Sequence, residues 1–165
     1  MIIRLAEPRD ISTIEDMFHQ LLEHLRGCGQ KYYQQDSVTL RNGVMGFIIG
    51  KMYDENSVIY VSENKDGQVQ GFLIGGIVYY PIFFQHEKLG EIQWMDRLSL
   101  ISNPTYSRQM SRAFEIWARS KGCTAGSNYC LPGNIQAQKL MKHDGRDHVF
   151  NYYIKPYPAL EGNHD

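Results

Sequence analysis

The sequence lacks an excess of charge of either sign. Its 165 residues include 17 lysines and arginines against 18 aspartates and glutamates, which gives a formal net charge of −1. A chain with so little net charge has no general attraction for nucleic acid or for an anionic membrane surface. It also lacks an apolar run long enough to span a bilayer. We therefore predict neither nucleic-acid nor membrane partners.

Cysteine is scarce, and several short motifs are missing. Cys28, Cys123 and Cys130 are odd in number, which favours structural thiols in a reducing compartment over a disulfide framework. The N-terminal residues MIIRLAEPRD lack the layout of a signal peptide, so we expect a cytoplasmic protein. The motifs CxxC, HExxH and GxSxG are absent, and we predict neither a metal site nor a nucleophile elbow.

What the chain does contain is a regular series of apolar segments separated by turn residues. Their order, β-α-α-β-β-β-α-β-α-β, predicts an α+β fold with a mixed, mostly antiparallel sheet of about six to seven strands and about four helices. We expect one domain over residues 1–155 and a C-terminal tail at 156–165. The predicted strands cover residues 2–5, 58–62, 69–80, 91–101, 123–129 and 148–155, and the predicted helices cover 12–27, 38–53, 104–120 and 134–142.

Two predicted helix starts carry capping signals. Ser12, with Glu15 three residues later, matches a capping box for the first helix. In the main helix, Asn103 is placed as an N-cap and Pro104 suits the first helical position. A strand that leads into a helix N-terminus forms an anion site, because unpaired backbone N–H groups and the helix dipole point there. We therefore expect any phosphorylated ligand at Ser102 to Ser107.

Five segments carry a family resemblance through their order and mutual spacing. They are IIRLAEPRDISTIEDMF at the start, the hairpin ENKDGQVQGFLIGG, the helix ending WARSKGC, the spaced motif Asn134-x-x-Ala137-x-x-x-Met141-x-x-x-Gly145, and the final YYIK. Together they resemble the GNAT family of N-acetyltransferases over residues 2–155. The resemblance implies a GNAT-like acyl-CoA N-acyltransferase fold that uses acetyl-CoA as co-substrate.

The resemblance also implies where the co-substrate binds. In the family, acetyl-CoA lies between two strands that part, and backbone N–H groups of a glycine-rich loop hold its pyrophosphate. That loop registers on residues 102–107, where Thr105 and Ser107 replace small loop residues and Pro104 has no N–H to donate. The implied cofactor contacts are Leu98, Leu100, Ser102, Asn103, Thr105, Tyr106, Ser107, Asn134 and Ala137.

Catalysis by this family requires an uncharged amine, so a carboxylate must accept the proton of the amine. The resemblance places Glu91 and Asp96 on the strand that often carries this group. The tyrosine that serves as general acid is replaced by Met141, which has no proton to donate. Tyr129, close to the predicted fifth strand, is the candidate to replace it. A solvated strand face for the two carboxylates and a structural role for Tyr129 remain open.

These features predict an acetyl-CoA-dependent N-acetyltransferase that acts on a primary amine of a small molecule or a protein. The alternative is a catalytically inactive GNAT-fold protein in an assembly, since both the loop glycines and the tyrosine at Met141 are missing. Tyr79 to Phe84 would then be an interface to a second copy or another partner, because exposed loop aromatics favour a partner surface. We expect the first part of this segment to be core strand, and folding of the rest into the core stays open.

Overall fold

The computed structural model of the protein describes residues 2–27, 37–79, 88–95 and 104–128, with Gln138, Lys139 and Lys142 beyond them. The chain forms two compact units, Met1–Tyr129 and Cys130–Asp165. In the second unit, Gln138, Lys139 and Lys142 are helical. The rest of the helix predicted at 134–142, the strand predicted at 148–155 and the tail lie outside the described residues, so the predicted domain boundary stays a prediction.

The first unit contains all strands and long helices that the structure describes. None of these helices is both long and apolar enough to cross a membrane. A short 3-10 helix, Pro8–Asp10, precedes the first α-helix. In chain order the elements are β1 (Ile2–Leu5), α1 (Ile11–Gly27), α2 (Val38–Tyr53), β2 (Ser57–Glu63), β3 (Val69–Tyr79), β4 (Lys88–Met95), α3 (Pro104–Ser120) and β5 (Ala125–Asn128).

The described strands form one sheet in the order β1-β2-β3-β4-β5. The pairings from β1 to β4 are antiparallel, and β4 pairs with β5 in parallel. The mixed, mostly antiparallel α+β architecture predicted from the sequence is therefore confirmed. The strand predicted at 91–101 begins earlier, at Lys88, because Lys88 continues the ladder opposite Tyr79. Its predicted residues beyond Met95 lie outside the described ranges.

Apolar side chains pack on both faces of the sheet. Neighbouring residues of β3 show the alternation, because Phe72 packs with α1 and α2 while Leu73 packs with α3. On the face of the sheet that packs against α1 and α2, the rings of Phe18 and Phe72 stack with their centroids 5.9 Å apart. The sheet is thus the middle layer between two helical layers. Helix α1, predicted at 12–27, packs on the sheet through the buried apolar residues Ile14, Phe18, Leu21 and Leu22.

Helix α3 approaches the sheet closely because two glycines lie beneath it. A β-carbon at Gly75 on β3 would lie 2.4 Å from Cε2 of Phe114, and one at Gly90 on β4 would lie 2.5 Å from Cβ of Ala118. Protein interiors are packed at contact distance, so a side chain at either glycine would force the helix outward. A glycine inside a strand commonly marks such a close approach.

A network of ion pairs ties β1 to the turn before α1. The Arg4 guanidinium donates to both carboxylate oxygens of Asp10, at 2.7 and 2.9 Å, and to Oε2 of Glu63 at 2.7 Å. Asp10 also accepts a hydrogen bond from the backbone N–H of Glu7 at 2.7 Å. The hydrogen bond from Arg4 is the main reason that the pKa of Asp10 lies below its usual value. The network therefore fixes how the chain enters α1.

The start of α1 differs from the prediction. The helix begins at Ile11, directly after the 3-10 helix, so Ser12 is its second residue. Glu15 is buried, with Oε1 3.3 Å from Nε2 of His19 one turn later. The capping box predicted at Ser12 and Glu15 is therefore wrong. Its physical reason is that the preceding 3-10 turn, held by the Asp10 carboxylate, already directs the chain into the helix.

The end of β3 also differs from the prediction. Tyr79 was expected in the core, but its side chain is 69% exposed. The residue lies opposite Lys88 at the last pair of the β3–β4 ladder, and Nζ of Lys88 is 5.9 Å from the centroid of its ring. The side chain therefore lies at the end of the paired strands, beside Lys88, rather than in the core. Tyr80 to Phe84 lie outside the described residues.

Candidate active site

The parallel junction of β4 and β5 is where the candidate site lies. The two strands pair over four residues, and the last of these pairs is Ile92 opposite Asn128. The next residue, Gln93, has no partner on β3, because the register skips it and resumes at Trp94. Such a β-bulge bends a strand and re-aims its side chains. The described pairing with β5 thus ends where β4 changes course.

Glu91 lies on β4, one residue before the end of this pairing. Its neighbours across the sheet are Gly76 on β3 and Ser127 on β5. The side chain is only 6% exposed, and its Oε2 accepts a hydrogen bond of 3.4 Å from Oγ of Ser127. Within the described ranges no ion pair involves Glu91. A buried carboxylate with one long hydrogen bond and no cation among the described residues is unusual, because these residues compensate its desolvation poorly.

The neighbours of Glu91 reveal which face of the sheet it occupies. The residues on either side of it, Gly90 and Ile92, face α3. Glu91 therefore faces the layer of α1 and α2. Gln93 lies on that same face, since its Nε2 would be 3.8 Å from a β-carbon at Gly76. The Gln93 amide and the Glu91 carboxylate therefore lie on one side of β4, as alternation along a strand places residues two apart.

The N-terminus of α3 is the predicted phosphate site. Tyr106 is half-buried and packs against the α3-side core. The Ser107 side chain is 4% exposed, and its hydroxyl donates to Sδ of Met95 on β4 at 3.4 Å. Thr105 is helical, and its side chain is outside the description. Because Pro104 has no N–H, Thr105 and Tyr106 supply the backbone donors of this first turn.

Most of the other predicted site residues lie outside the described ranges, and their roles stay predictions. The structure does relate two of the predicted residues to one strand, because Glu91 lies on β4 and Ser107 contacts β4 through Met95. The predicted residues outside the description are Asp96, Leu98, Leu100, Ser102, Asn103, Tyr129, Asn134 and Ala137.

Sequence reasoning missed Ser127 and Gln93. A simple alternation along β4 places Gln93 on the same face as Glu91, so that signal was present in the sequence. Ser127 carried no such signal, because its position opposite Glu91 depends on the register of a parallel pairing 36 residues away along the chain. Ser127, unlike Gln93, is brought to the site by the sheet rather than by the local sequence.

Two further sequence predictions bear on the chemistry. Cys123 is 6% exposed, and burial raises the pKa of its thiol, as expected for an inert structural cysteine. In the part of the chain that the structure describes, no group of three or more histidine, cysteine, aspartate or glutamate side chains could hold a metal ion. The absence of a metal site stays a prediction for the chain as a whole.

Solved structures of low sequence identity share this fold. A mutant of the BH1408 protein from Bacillus halodurans has a TM-score of 0.80 at 17% identity, covering 96% of this chain and 100% of that one. Aminoglycoside 6'-N-acetyltransferase AAC(6')-IG from Acinetobacter haemolyticus has a TM-score of 0.71 at 14% identity, with 96% and 100% covered. Aminoglycoside N-acetyltransferase AAC(6')-Iy in complex with CoA has a TM-score of 0.65 at 17% identity, again with 96% and 100% covered.

Sequence comparison gives a different result from structural comparison. No protein-family model and no curated protein matches the sequence. The structural neighbours match nearly the whole chain, and the sheet has the predicted mixed topology. The chain therefore has the fold of GNAT-type acetyltransferases.

Proposed function

We propose that this protein is an acetyl-CoA-dependent N-acetyltransferase that acetylates a primary amine. One observation carries the proposal: on a fold of this type, Glu91 is buried beside the end of the β4–β5 pairing with no described cation to neutralise it. A catalytic role explains why a buried polar group has so few partners. The names of two neighbours, both aminoglycoside N-acetyltransferases and one bound to CoA, support the same reaction class. The predicted cytoplasmic location suits such an activity.

In the proposed reaction, the amine nitrogen attacks the thioester carbonyl carbon of acetyl-CoA. A C–N bond forms while the C–S bond breaks, and the products are the acetylated amine and CoA. Glu91 accepts the proton that the nitrogen loses, and Asp96 is the second candidate for this role. The departing CoA thiolate takes up one proton, for which Tyr129 is the candidate donor. The acceptor is a small-molecule or protein amine.

We assign the pyrophosphate of acetyl-CoA to the N-terminus of α3. The first backbone N–H groups of a helix have no intrahelical acceptor, and the helix dipole favours an anion there. Pro104 removes one donor from this turn, which leaves the N–H groups of Thr105 and Tyr106. With fewer N–H donors, this turn should bind the pyrophosphate more weakly than a glycine-rich loop does. Binding should therefore be measured at acetyl-CoA concentrations up to the millimolar range.

Calorimetry and a thiol-release assay test the proposal in sequence. We expect acetyl-CoA and its desulfo analogue to give heat and to raise the melting temperature, because a ligand that binds only the folded state stabilises it. Free CoA release would then be followed with kanamycin, spermidine or a lysine peptide as the amine. The absence of both heat and thermal shift at millimolar acetyl-CoA would contradict the proposal.

The second candidate function is that of an inactive GNAT-fold protein in an assembly. Tyr79 favours it, because this aromatic side chain is 69% exposed at the start of the segment Tyr79 to Phe84. The loss of an N–H at Pro104 agrees with weak or absent cofactor binding. Light scattering after size exclusion would compare the wild type with Tyr79→Ser. An oligomer that dissociates in the variant, together with no acetyl-CoA binding, supports this candidate, and a monomer with turnover rejects it.

A further inference from the structure

The contact between Glu91 and Ser127 joins two strands that the chain connects only through α3. The two residues are register partners in the parallel pairing of β4 and β5. Oγ of Ser127 lies 3.4 Å from Oε2 of Glu91 and donates to it. Among the described residues this is the one hydrogen bond that the Glu91 side chain receives. The carboxylate is therefore oriented from the side of β5.

No side chain orients Glu91 from the opposite strand. Its β3 partner is Gly76, which carries no side chain. The Gln93 amide lies on the same face, but no hydrogen bond joins it to Glu91 in the described part of the chain. A glutamate has three side-chain torsions, and one donor can select among their combinations. The Ser127 hydroxyl is thus the polar group placed to do so.

We propose that Ser127 is a positioning residue, whose hydroxyl holds the Glu91 carboxylate in the orientation that accepts the proton of the attacking amine. This inference rests on the proposed acetyltransferase function. The 3.4 Å contact belongs to the protein without substrates, and such contacts in active sites commonly shorten when substrate binds. Because the donor hydroxyl comes from β5, the orientation of Glu91 depends on the parallel pairing remaining intact.

Kinetics of three serine variants give the first test. We expect Ser127→Ala to lower kcat by about 10- to 100-fold, because misplacing a reacting group costs rate rather than substrate binding, and to leave the KM for acetyl-CoA unchanged. Ser127→Thr keeps the hydroxyl and is expected to recover most of the rate. Ser120→Ala is the matched control, since Ser120 donates to Trp117 O at 2.7 Å on an exposed part of α3. A wild-type kcat in Ser127→Ala would overturn the proposal.

Crystal structures of the same variants give a second test that needs no activity. In Ser127→Ala we expect the Glu91 carboxylate to leave the wild-type orientation, and in Ser127→Thr we expect it to return. An unchanged orientation in Ser127→Ala overturns the inference, whatever the kinetics. Should Ser127→Ala fail to fold, the isosteric Ser127→Cys, a much weaker donor, takes its place. If the wild type shows neither heat nor thermal shift with millimolar acetyl-CoA, the proposed function fails, and the structures alone decide whether Ser127 orients Glu91.

Discussion

Gly75 lacks the β-carbon that would collide with Phe114, and helix α3 occupies the space this leaves. A β-carbon there would lie 2.4 Å from the Phe114 ring and 2.9 Å from the backbone oxygen of Glu91. Gly75 therefore allows α3 to pack closely on the sheet. It also lies next to β4, the strand that carries Glu91, the candidate base. The position of α3 and that of Glu91 are linked through this contact.

The first prediction concerns this close approach. We expect Gly75→Ala to lower the free energy of unfolding by about 1–3 kcal/mol, because the added methyl group overpacks the layer under α3. Gly46→Ala in α2 is the matched control, since a β-carbon there meets no atom within 4 Å. It should instead stabilise the protein by about 0.5–1 kcal/mol through helix propensity. Urea unfolding measures the free energy of unfolding of both variants. Changes of the same sign in the two variants would contradict this prediction.

The second prediction concerns the Glu91 carboxylate. We expect Glu91→Gln to lower kcat by about 10²- to 10⁴-fold, the usual contribution of a general base, while acetyl-CoA binding is preserved. The thiol-release assay measures the rate and calorimetry measures the binding. Glu55→Gln, in the exposed turn before β2, is the control and should keep wild-type activity. An active Glu91→Gln variant would transfer the role to Asp96 or to another group.

The third prediction concerns Asp10 and pH. The hydrogen bond from Arg4 lowers the pKa of Asp10 below its usual value of 3.8. Because the folded-state value is the lower one, Asp10 stabilises the protein fully above pH 3.8, and this contribution is lost as the pH falls through the folded-state pKa. Asp10→Asn should therefore reduce the free energy of unfolding by about 1–3 kcal/mol at neutral pH. The difference from wild type should shrink in strong acid.

Chemical denaturation at several pH values measures this difference. Asp66→Asn in the exposed hairpin turn is the control, since its side chain is exposed and forms no ion pair with another described residue. It should track the wild type at every pH. A difference in the free energy of unfolding between Asp10→Asn and wild type that grows as the pH falls would be opposite to the expected trend. It would contradict the assignment of the low pKa of Asp10 to its hydrogen bond with Arg4.

The fourth prediction concerns the buried thiol of Cys123. Burial raises its pKa, and Lys88 acts in the opposite direction. In a Cys28→Ser/Cys130→Ser background, we expect iodoacetamide to modify the native protein at pH 8 much more slowly than the urea-unfolded chain. Adding Lys88→Met should slow the native reaction further, because it removes the nearby positive charge. Equal rates for native and unfolded protein would exclude a buried thiol.

The sequence predicted the described elements well where local signals are strong. Helix α2 extends from Val38 to Tyr53 as predicted, although three glycines weaken its propensity, because Val44 and Ile48 are buried against the core. The hairpin signal Asp66-Gly67 lies between β2 and β3 as expected. Packing and turn chemistry agree at these places, and such agreement is what makes a local prediction dependable.

The predictions that failed depend on long-range structure. The start of α1 is fixed by Arg4 reaching Asp10 across a turn, and the exposure of Tyr79 follows from its place at the end of the β3–β4 ladder. For the candidate site, the family resemblance selected Glu91. The pairing with Ser127 was out of reach, because the register of parallel strands is set in the folded sheet and leaves no mark on either segment alone.

The parallel pairing of β4 with β5 has a consequence for the order of folding. Strands β2, β3 and β4 are successive antiparallel neighbours, whereas Glu91 and Ser127 are 36 residues apart in the chain with α3 between them. Contacts between residues far apart in the chain form late in folding, because closing the intervening loop costs entropy before the contact can stabilise the chain. A nascent or partly denatured chain can therefore hold its antiparallel ribbon while still lacking the carboxylate–hydroxyl contact. The contact should therefore form after the ribbon of β2, β3 and β4 during folding.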